Sequence, residues 1–283
     1  MTSLSEAKRD LQANYEFTML VDTLKGIAAS QFQTLLRAKK RFEKFVAAFN
    51  SFFEMTDLLQ MESPLVQVLS ETTGVVMITS DEGFMGGLNK KIIETALEYV
   101  GVKNKKLVCI GSRGTDYIKS LRLDCVSFPG IIHETRYEQA IKISDFLVRE
   151  VLEKRMGKVF LCYPNPVSFT VQRPEIIPLL PCSELFQKKE RILSEERRVM
   201  VESSFQGIVE YLAGMWITYR LYDIFEDSKL SEFAARTMRL EQSHDTLTRQ
   251  GKVLRHRYHR SRRELVDKGL RETFSSALLR DKE

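Results

Sequence analysis

The sequence has few of the residues that interrupt helices. It contains 14 glycines and 7 prolines in 283 residues, and six of the seven prolines fall between positions 129 and 181. Proline removes a backbone donor and ends or kinks a helix, so its absence leaves both ends of the chain free to form long helices. The charged fraction, 29%, is above the usual quarter and indicates that those helices are exposed.

Cysteine and histidine are also scarce, with four of each. They are Cys109, Cys125, Cys162, Cys182, His133, His244, His256 and His259. No group of these residues has the spacing of metal ligands, and there is no C-x-x-C pair. We expect reduced, buried cysteines in a cytosolic compartment, with no metal and no cofactor. No Ser/His/Asp or Cys/His arrangement is present, so we expect no catalytic residue.

Long apolar runs are missing as well. No stretch approaches the roughly 20 apolar residues that cross a bilayer. Residues 1–11 mix acidic and basic side chains without an apolar core. The sequence therefore predicts no direct membrane insertion, no signal peptide and no transit peptide. The net charge of +5 permits an acidic partner and does not imply nucleic acid.

Residues 1–62 are predicted to form an N-terminal coiled-coil helix. Apolar residues recur there in alternating steps of three and four with a single polar interruption, which is the spacing of a heptad seam. The predicted seam is Phe17, Val21, Leu24, Ala28, Gln31, Leu35, Ala38, Phe42, Phe45, Phe49 and Phe52.

Residues 63–187 are predicted to form an α/β domain, because short β-rich runs alternate with helical stretches there. Strands are expected at 75–79, 106–110, 124–128, 159–163 and 167–172, and helices at 88–100, 115–121 and 136–154. This alternation favours a mainly parallel sheet with helices on its faces.

Residues 188–283 are predicted to form a C-terminal coiled-coil helix. Apolar residues step along positions 201–222, including Met215, Trp216, Tyr219 and Tyr222. After a polar break at 226–229, the apolar positions Phe233, Leu240, Leu247 and Leu254 recur once per heptad. The predicted fold is a long antiparallel coiled coil of N- and C-terminal helices with an inserted Rossmann-like α/β domain.

A glycine-rich turn is the clearest local motif. Its candidate structural residues are Ser80, Asp81, Gly83, Gly86, Gly87 and Asn89. The turn follows a strand and opens a helix, where phosphate groups bind in many proteins. Its spacing fits neither G-x-G-x-x-G nor the P-loop. We favour a tight turn that needs left-handed backbone, with a nucleotide-binding α/β protein bearing coiled-coil arms as the alternative.

A basic segment, residues 249–263, holds seven Lys or Arg and no acidic residue. It is interpreted first as a solvated helix face. An acidic protein loop or surface is the second interpretation, and nucleic acid is the third, since only one aromatic residue, Tyr258, lies among the charges.

The motifs resemble the γ subunit family of F-type ATP synthases. Residues 80–89 (Ser-Asp-Glu-Gly-Phe-Met-Gly-Gly-Leu-Asn) match the family's Ser-Asp-x-Gly-Leu-x-Gly-Gly-Leu-Asn signature, with Phe84 in place of the usual leucine. Residues 109–114 are similar to the second strand and its glycine turn. Residues 24–30 and 231–238 resemble the family's helical segments near the two termini.

The resemblance implies a non-catalytic central-stalk rotor subunit that couples ion-driven rotation to conformational changes in catalytic β subunits. The implied partners are the α and β subunits of the catalytic ring, the ε subunit and a membrane rotor ring, at the cytoplasmic face of a bacterial inner membrane. Residues implied to contact partners or take part in coupling are Leu24, Ile27, Ala28, Arg236, Arg263 and Glu272.

The sequence departs from the family pattern at two places. Residues 11–21 carry no Lys or Arg where the family has a basic stretch. Residues 262–269 keep only the first arginine of a late Arg-Gln-x-x-Ile-Thr-x-Glu pattern. These departures make a paralogue serving a variant rotary ATPase a further alternative.

Overall fold

The computed structural model describes residues 3–53, 64–65, 67–101, 105–181 and 205–280, with the side chains of those residues except 38–53, 205, 206, 208, 209, 212 and 276–280. The elements in chain order are α1 (Leu4–Phe53), β1 (Thr73–Ile78), α2 (Leu88–Val100), β2 (Lys105–Ile110), α3 (Ser112–Ser120), β3 (Val126–Phe128), α4 (Arg136–Leu152), β4 (Lys158–Pro166), β5 (Gln172–Leu180) and α5 (Phe205–Arg280). Long N- and C-terminal helices thus flank a central sheet, as predicted.

The sheet has five strands in the order β3-β2-β1-β4-β5. β1 pairs in parallel with both β2 and β4, and β2 pairs in parallel with β3. β5 runs antiparallel to β4 at one edge. The sheet is therefore mixed and mainly parallel, which confirms the alternation of strands and helices read from the sequence.

Strand side chains alternate between two apolar cores, because successive residues point to opposite faces. Val75 and Met77 join the core that contains Ile92 and Ile93 of α2 and Ile118 of α3. Val76 and Ile78 join a larger core on the other face, which contains side chains of α4 and α5: Ile143, Leu147, Val151, Trp216, Ile217, Leu221, Ile224 and Phe225. Helices thus cover both faces of the sheet.

The prediction of a strand at 167–172 is wrong. Residues 167–171 form the turn between β4 and β5, where the backbone N–H of Val171 donates to Ser168. The fifth strand is β5, which carries Pro174 and Pro178. Those prolines argue against a strand by propensity, but the edge position of β5 tolerates them because one side of its backbone has no strand partner among the described residues.

The chain divides into two compact units. The helical unit comprises residues 1–29 and 237–283, and the central unit comprises residues 30–236. The sequence-based boundaries at 62/63 and 187/188 fall outside the described residues and stay a prediction. In the central unit, α1 meets α5 through a small apolar cluster: Phe32, Leu35, Leu230, Phe233 and Ala234.

In the helical unit, α1 and α5 run antiparallel. The Lys25 ammonium contacts Glu241 at 3.0 Å, and further towards the start of α1 the Asn14 amide donates to the Leu247 carbonyl at 3.2 Å. Each helix carries a row of less exposed positions spaced in steps of three and four: Leu4, Ala7, Leu11, Asn14, Thr18, Val21, Lys25 and Ala28 on α1, and Thr237, Leu240, His244, Leu247, Gly251, Leu254, Tyr258 and Ser261 on α5.

The observed seam of α1 corrects the predicted one. Phe17 is 58% exposed and Gln31 is exposed, so neither belongs to it. Val21 and Ala28 do belong, and the predicted position Leu24 is half-buried. Lys25, equally half-buried, lies next to it, and its ammonium lies 3.0 Å from both Asp22 and Glu241. The predicted seam positions at 38–52 have no described side chains.

The first part of α5 also differs from its prediction. Its buried face is formed by Ala213, Trp216, Ile217, Leu221 and Ile224, which pack against the sheet, whereas Met215 is 38% exposed. The polar residues at 226–229 do not break the helix, since α5 is continuous through them. Glu226 and Ser228 are buried, and Asp227 and Lys229 are half-buried. Glu226 pairs with Arg136 at 2.8 Å, and Lys229 pairs with Glu232 at 2.9 Å.

Candidate functional site

The glycine turn lies at the carboxyl ends of the parallel strands, directly after β1. Its first residue, Thr79, is bonded to β2: its backbone N–H donates to the Ile110 carbonyl at 2.8 Å, and its hydroxyl donates to the same oxygen at 2.7 Å. The Ser80 carbonyl accepts from the Arg113 N–H at 3.1 Å. The turn is therefore joined to the start of α3 as well as to β1.

Asp81 is the central polar residue of the turn. One carboxylate oxygen accepts from the Ser112 N–H at 2.7 Å, and the other accepts from the Gly130 N–H at 3.0 Å. Ser112 begins α3, so the carboxylate sits at the positive end of that helix. A Cβ at Gly130 would come within 2.5 Å of the Asp81 carboxylate, which explains the glycine there. Asp81 thus occupies a position where an anionic ligand could otherwise bind.

The remaining motif residues close the turn onto α2. The Ser80 N–H donates to the Asn89 side-chain oxygen at 3.3 Å, and the Asn89 amide donates to the Ser80 hydroxyl at 3.0 Å. Gly86 and Gly87 have φ of +59° and +87°, the left-handed region that favours glycine. Gly83 does not have a positive φ, so its backbone conformation does not require glycine. The motif residues therefore bond mainly to one another and to the strand ends.

The crevice beside the turn is filled by α5. Strand order reverses at β1, so the gap between the carboxyl ends of β1 and β4 is where doubly wound sheets hold ligands. Here the Ser231 hydroxyl donates to the Pro164 carbonyl of β4 at 2.6 Å, and Ala235 packs in the core with Met85 and Leu88. Residues 230–236 are all at most 9% exposed. The chain itself takes the place of a nucleotide.

Arg236 is held by two carboxylates inside the central unit. Its guanidinium lies 2.6 Å from Glu232, one turn earlier on α5, and 2.7 Å from Glu82 of the glycine turn. It also lies over the Phe233 ring, 5.7 Å from its centroid. The sequence predicts roles for Arg236 and for the turn separately, and the structure brings them together through Glu82, which is not among the predicted site residues.

The other candidate contact residues lie in the helical unit and are not one cluster. Ala28 is buried, Leu24 is half-buried and Ile27 is 51% exposed. Lys25, next to Leu24, pairs with Glu241, whereas Arg263 lies 22 residues further along α5. At 1.5 Å per residue that is roughly 33 Å, and Glu272 is further still. Their individual roles as partner contacts stay predictions.

The far part of α5 is highly exposed. Every described side chain from residue 262 to 275 is exposed, including Leu265, Val266, Leu270 and Phe274. In the basic segment, the less exposed positions are Gly251, Leu254, Tyr258 and Ser261, so its arginines and its lysine face outward. This part of α5 offers both apolar and cationic surface.

A group of possible metal ligands lies on α5. The ligand atoms of Glu241, His244 and Asp245 fall within 4.8 Å of one another. Glu241 already pairs with Lys25, and His244 approaches Asp22 at 4.0 Å. The Lys25 ammonium contacts both Glu241 and Asp22, so the helix pairing already gives Glu241 a cationic partner.

Comparison with known proteins gives the family. The family model described as ATP synthase matches residues 3–278. The chain belongs to the ATP synthase family. The ATP synthase gamma chain of Streptococcus pyogenes is 23% identical, over 97% of this chain and 98% of the relative. That of Nitratidesulfovibrio vulgaris is 26% identical, over 83% and 84% respectively. The predicted gamma-type family is confirmed.

Solved structures show the same fold at lower identity. The rotor of the Euglena gracilis mitochondrial ATP synthase aligns with a TM-score of 0.68 and 15% identity, covering 93% of this chain and 98% of that chain. A central-stalk chain of the Tetrahymena thermophila enzyme aligns with a TM-score of 0.60 and 19% identity, covering 79% and 99%.

Membership in this family makes the chain a non-catalytic, gamma-type subunit of the central stalk, as predicted. Among the described helices of this family member, none has an apolar stretch long enough to cross a bilayer.

Proposed function

We propose that this chain is the rotor of a rotary F-type ATPase and transmits rotation to the catalytic β subunits. The observation that carries the proposal is that one helix, α5, 76 residues long, is common to both units. One of its segments is buried in the ligand crevice of the sheet, and another pairs with α1. A helix shared in this way can carry torque from the central sheet into the paired segment.

Within this proposal the paired segments of α1 and α5 form an antiparallel coiled coil, and the central sheet is Rossmann-like. The three-four recurrence of less exposed positions on both helices supports the coiled coil. The strand order 3-2-1-4, with helices on both faces, supports the Rossmann-like assignment. The filled crevice argues against the alternative of a nucleotide-binding protein.

The proposed partners are the α and β subunits of the catalytic ring, the ε subunit and a membrane rotor ring. The exposed arginines of residues 249–263 suit acidic loops of the ring, because opposite charges steer and orient such contacts. The apolar side chains at 265–274 suit an apolar surface in the same ring. Each orientation of the rotor must then bind one β conformation better than the others, which is what coupling requires.

We place the chain as a peripheral protein at the cytoplasmic face of a bacterial inner membrane. Bacterial relatives of nearly equal length support this placement. Genes for α, β and ε homologues beside its own gene would agree with it. A separate, ordinary gamma gene in the same genome would favour the paralogue of a variant rotary ATPase.

Reconstitution with α and β subunits tests the function. We expect the isolated chain to have no ATPase activity and to co-purify with an α–β ring in which it rotates during ATP hydrolysis, seen with a bead attached to the central unit. Calorimetry of the isolated chain with ATP tests the alternative, that the glycine turn binds a nucleotide. Saturable micromolar binding that Gly86→Val abolishes would contradict the rotor proposal and support nucleotide binding.

A further inference from the structure

We propose that Glu82 and Arg236 form an ionic tie that fixes the orientation of α5 against the sheet, and that Glu82 is thereby a positioning residue for energy coupling. The inference rests on the proposed rotor function and adds a residue to it. Glu82 occupies the variable position of the Ser-Asp-x-Gly signature, so the motif itself does not assign it a role.

On the α5 side, contacts within the helix position the Arg236 guanidinium independently of Glu82. The Arg236 side chain is 11% exposed, and its contact with Glu232, four residues earlier, holds it along the helix. Phe233 lies beneath it, and Lys229 contacts the other side of the Glu232 carboxylate group at 2.9 Å. The same guanidinium nitrogen, Nη2, contacts both Glu232 and Glu82.

On the sheet side, Glu82 projects from a rigid turn. Its neighbour Asp81 is bonded to two backbone N–H groups, and the Ser80 hydroxyl donates to the Glu82 carbonyl at 2.8 Å. The Glu82 side chain is 70% exposed, yet its carboxylate lies 2.7 Å from Arg236. Replacing this exposed group removes the tie and leaves the turn, the core and the helix in place.

The ion pair restricts the rotation of α5 about its own axis, which apolar packing alone does not. The apolar contacts of Phe233 and Ala235 favour burial, but burial is non-directional and permits small rotations of a helix about its axis. The ion pair between Glu82 and Arg236 opposes such rotation, because turning α5 would separate the two charges. In a rotary complex, a loose orientation of α5 dissipates work between the central sheet and the helix, while assembly and ATP hydrolysis continue.

The test uses the complete ATP synthase in membrane vesicles. We expect Glu82→Gln to assemble and hydrolyse ATP as the unchanged complex does. Ion pumping per ATP hydrolysed, followed with a membrane-potential dye, should fall by a factor of about two to five, the range of a partly exposed ion pair. Glu98→Gln, on the exposed face of α2, makes the same chemical change and serves as the matched control.

A second variant shows whether the effect passes through Arg236. In an Arg236→Met background, adding Glu82→Gln should produce no further fall, because the tie is already gone. The inference is overturned if the Glu82→Gln complex pumps as many ions per ATP as the Glu98→Gln complex. It is also overturned if Glu82→Gln lowers ion pumping per ATP by the same factor in the Arg236→Met background. The unchanged complex is measured first, and failure of that complex to assemble or pump would reject the rotor function itself.

Discussion

The anion bound at the start of α3 is a side chain of the protein itself, the carboxylate of Asp81. Its two carboxylate oxygens each accept a backbone N–H, at Ser112 and Gly130, and so join the ends of β1, β2 and β3. A carboxylate that accepts two bonds at a helix start is a stabilising arrangement rather than a catalytic one. The N–H groups of Ser112 and Gly130, which could bind an anion at this edge of the sheet, therefore already have a partner in Asp81.

Replacing this carboxylate should weaken the central unit. Asp81→Asn keeps the shape but presents an amide to one of the two N–H groups, so we expect the free energy of unfolding to fall by about 1–3 kcal/mol. Urea unfolding of the full chain measures it. Asp116→Asn, an exposed change on α3, is the control and should have little effect. Equal stability of the two variants would contradict a stabilising role for the Asp81 carboxylate.

The described cysteines differ in how readily they should react. Burial raises the pKa of Cys109 to about 11 and that of Cys162 to about 12. Burial also raises the pKa of Cys125, which is only half-buried. The fourth cysteine, Cys182, lies outside the described residues. The thiolate is the reactive form, so exposure and pKa together rank Cys125 first.

We therefore expect maleimide to label Cys125 faster than Cys109 or Cys162 in the folded chain, with a rate that rises between pH 7 and 9 as its thiolate forms. The two buried thiols, roughly 1% ionised or less at pH 9, should react only after unfolding. Peptide mass spectrometry over time gives the order. Early labelling of Cys162 would show that its core opens in the native state.

At the scale of elements, the helix pairing depends on small and polar residues. Gly251 of α5 faces Asn14 of α1: a Cβ at Gly251 would come within 2.7 Å of the Asn14 side-chain oxygen. Asn14 in turn donates to the Leu247 carbonyl. The close approach of the two helices here thus requires the glycine, although glycine lowers helix stability relative to alanine.

This arrangement predicts that Gly251→Ala has different effects in two backgrounds. Gly251→Ala alone should give little or negative change in stability, because the gain in helix propensity is offset by displacement of Asn14. Beside Asn14→Ala, the same change should stabilise the pairing by about 1 kcal/mol. Hydrogen exchange of residues 11–25 reports the pairing. An equal effect of Gly251→Ala in both backgrounds would contradict the contact.

The sequence predicted the positions of the helices and strands more accurately than it predicted which face of each helix is buried. The α/β alternation and the antiparallel end helices follow from proline placement and periodicity. The seam of α1 was misplaced because Asn14, Thr18 and Lys25 occupy it, and hydrophobicity cannot detect polar residues that pack by size and by ion pairing. The link between Glu82 and Arg236 joins residues far apart in sequence, which no local pattern reveals.

At the scale of the whole molecule, a charge in the paired helices should affect coupling before folding. We expect Leu24→Lys to weaken assembly with the catalytic ring or its ATP-driven rotation, because Leu24 is half-buried in the helical unit. The unfolding of the central unit should be unchanged. Thr23→Lys, one residue away and exposed, is the matched control. Unchanged rotation in Leu24→Lys would remove this residue from the coupling contacts.

The filled crevice between β1 and β4 also bears on inhibition. Any small molecule aimed at that edge of the sheet must compete with residues 230–236 of the same polypeptide. Such a tethered competitor acts at an effective concentration on the order of millimolar or above, and it does not diffuse away. Compounds selected for the dinucleotide clefts of other doubly wound proteins should therefore leave this chain untouched.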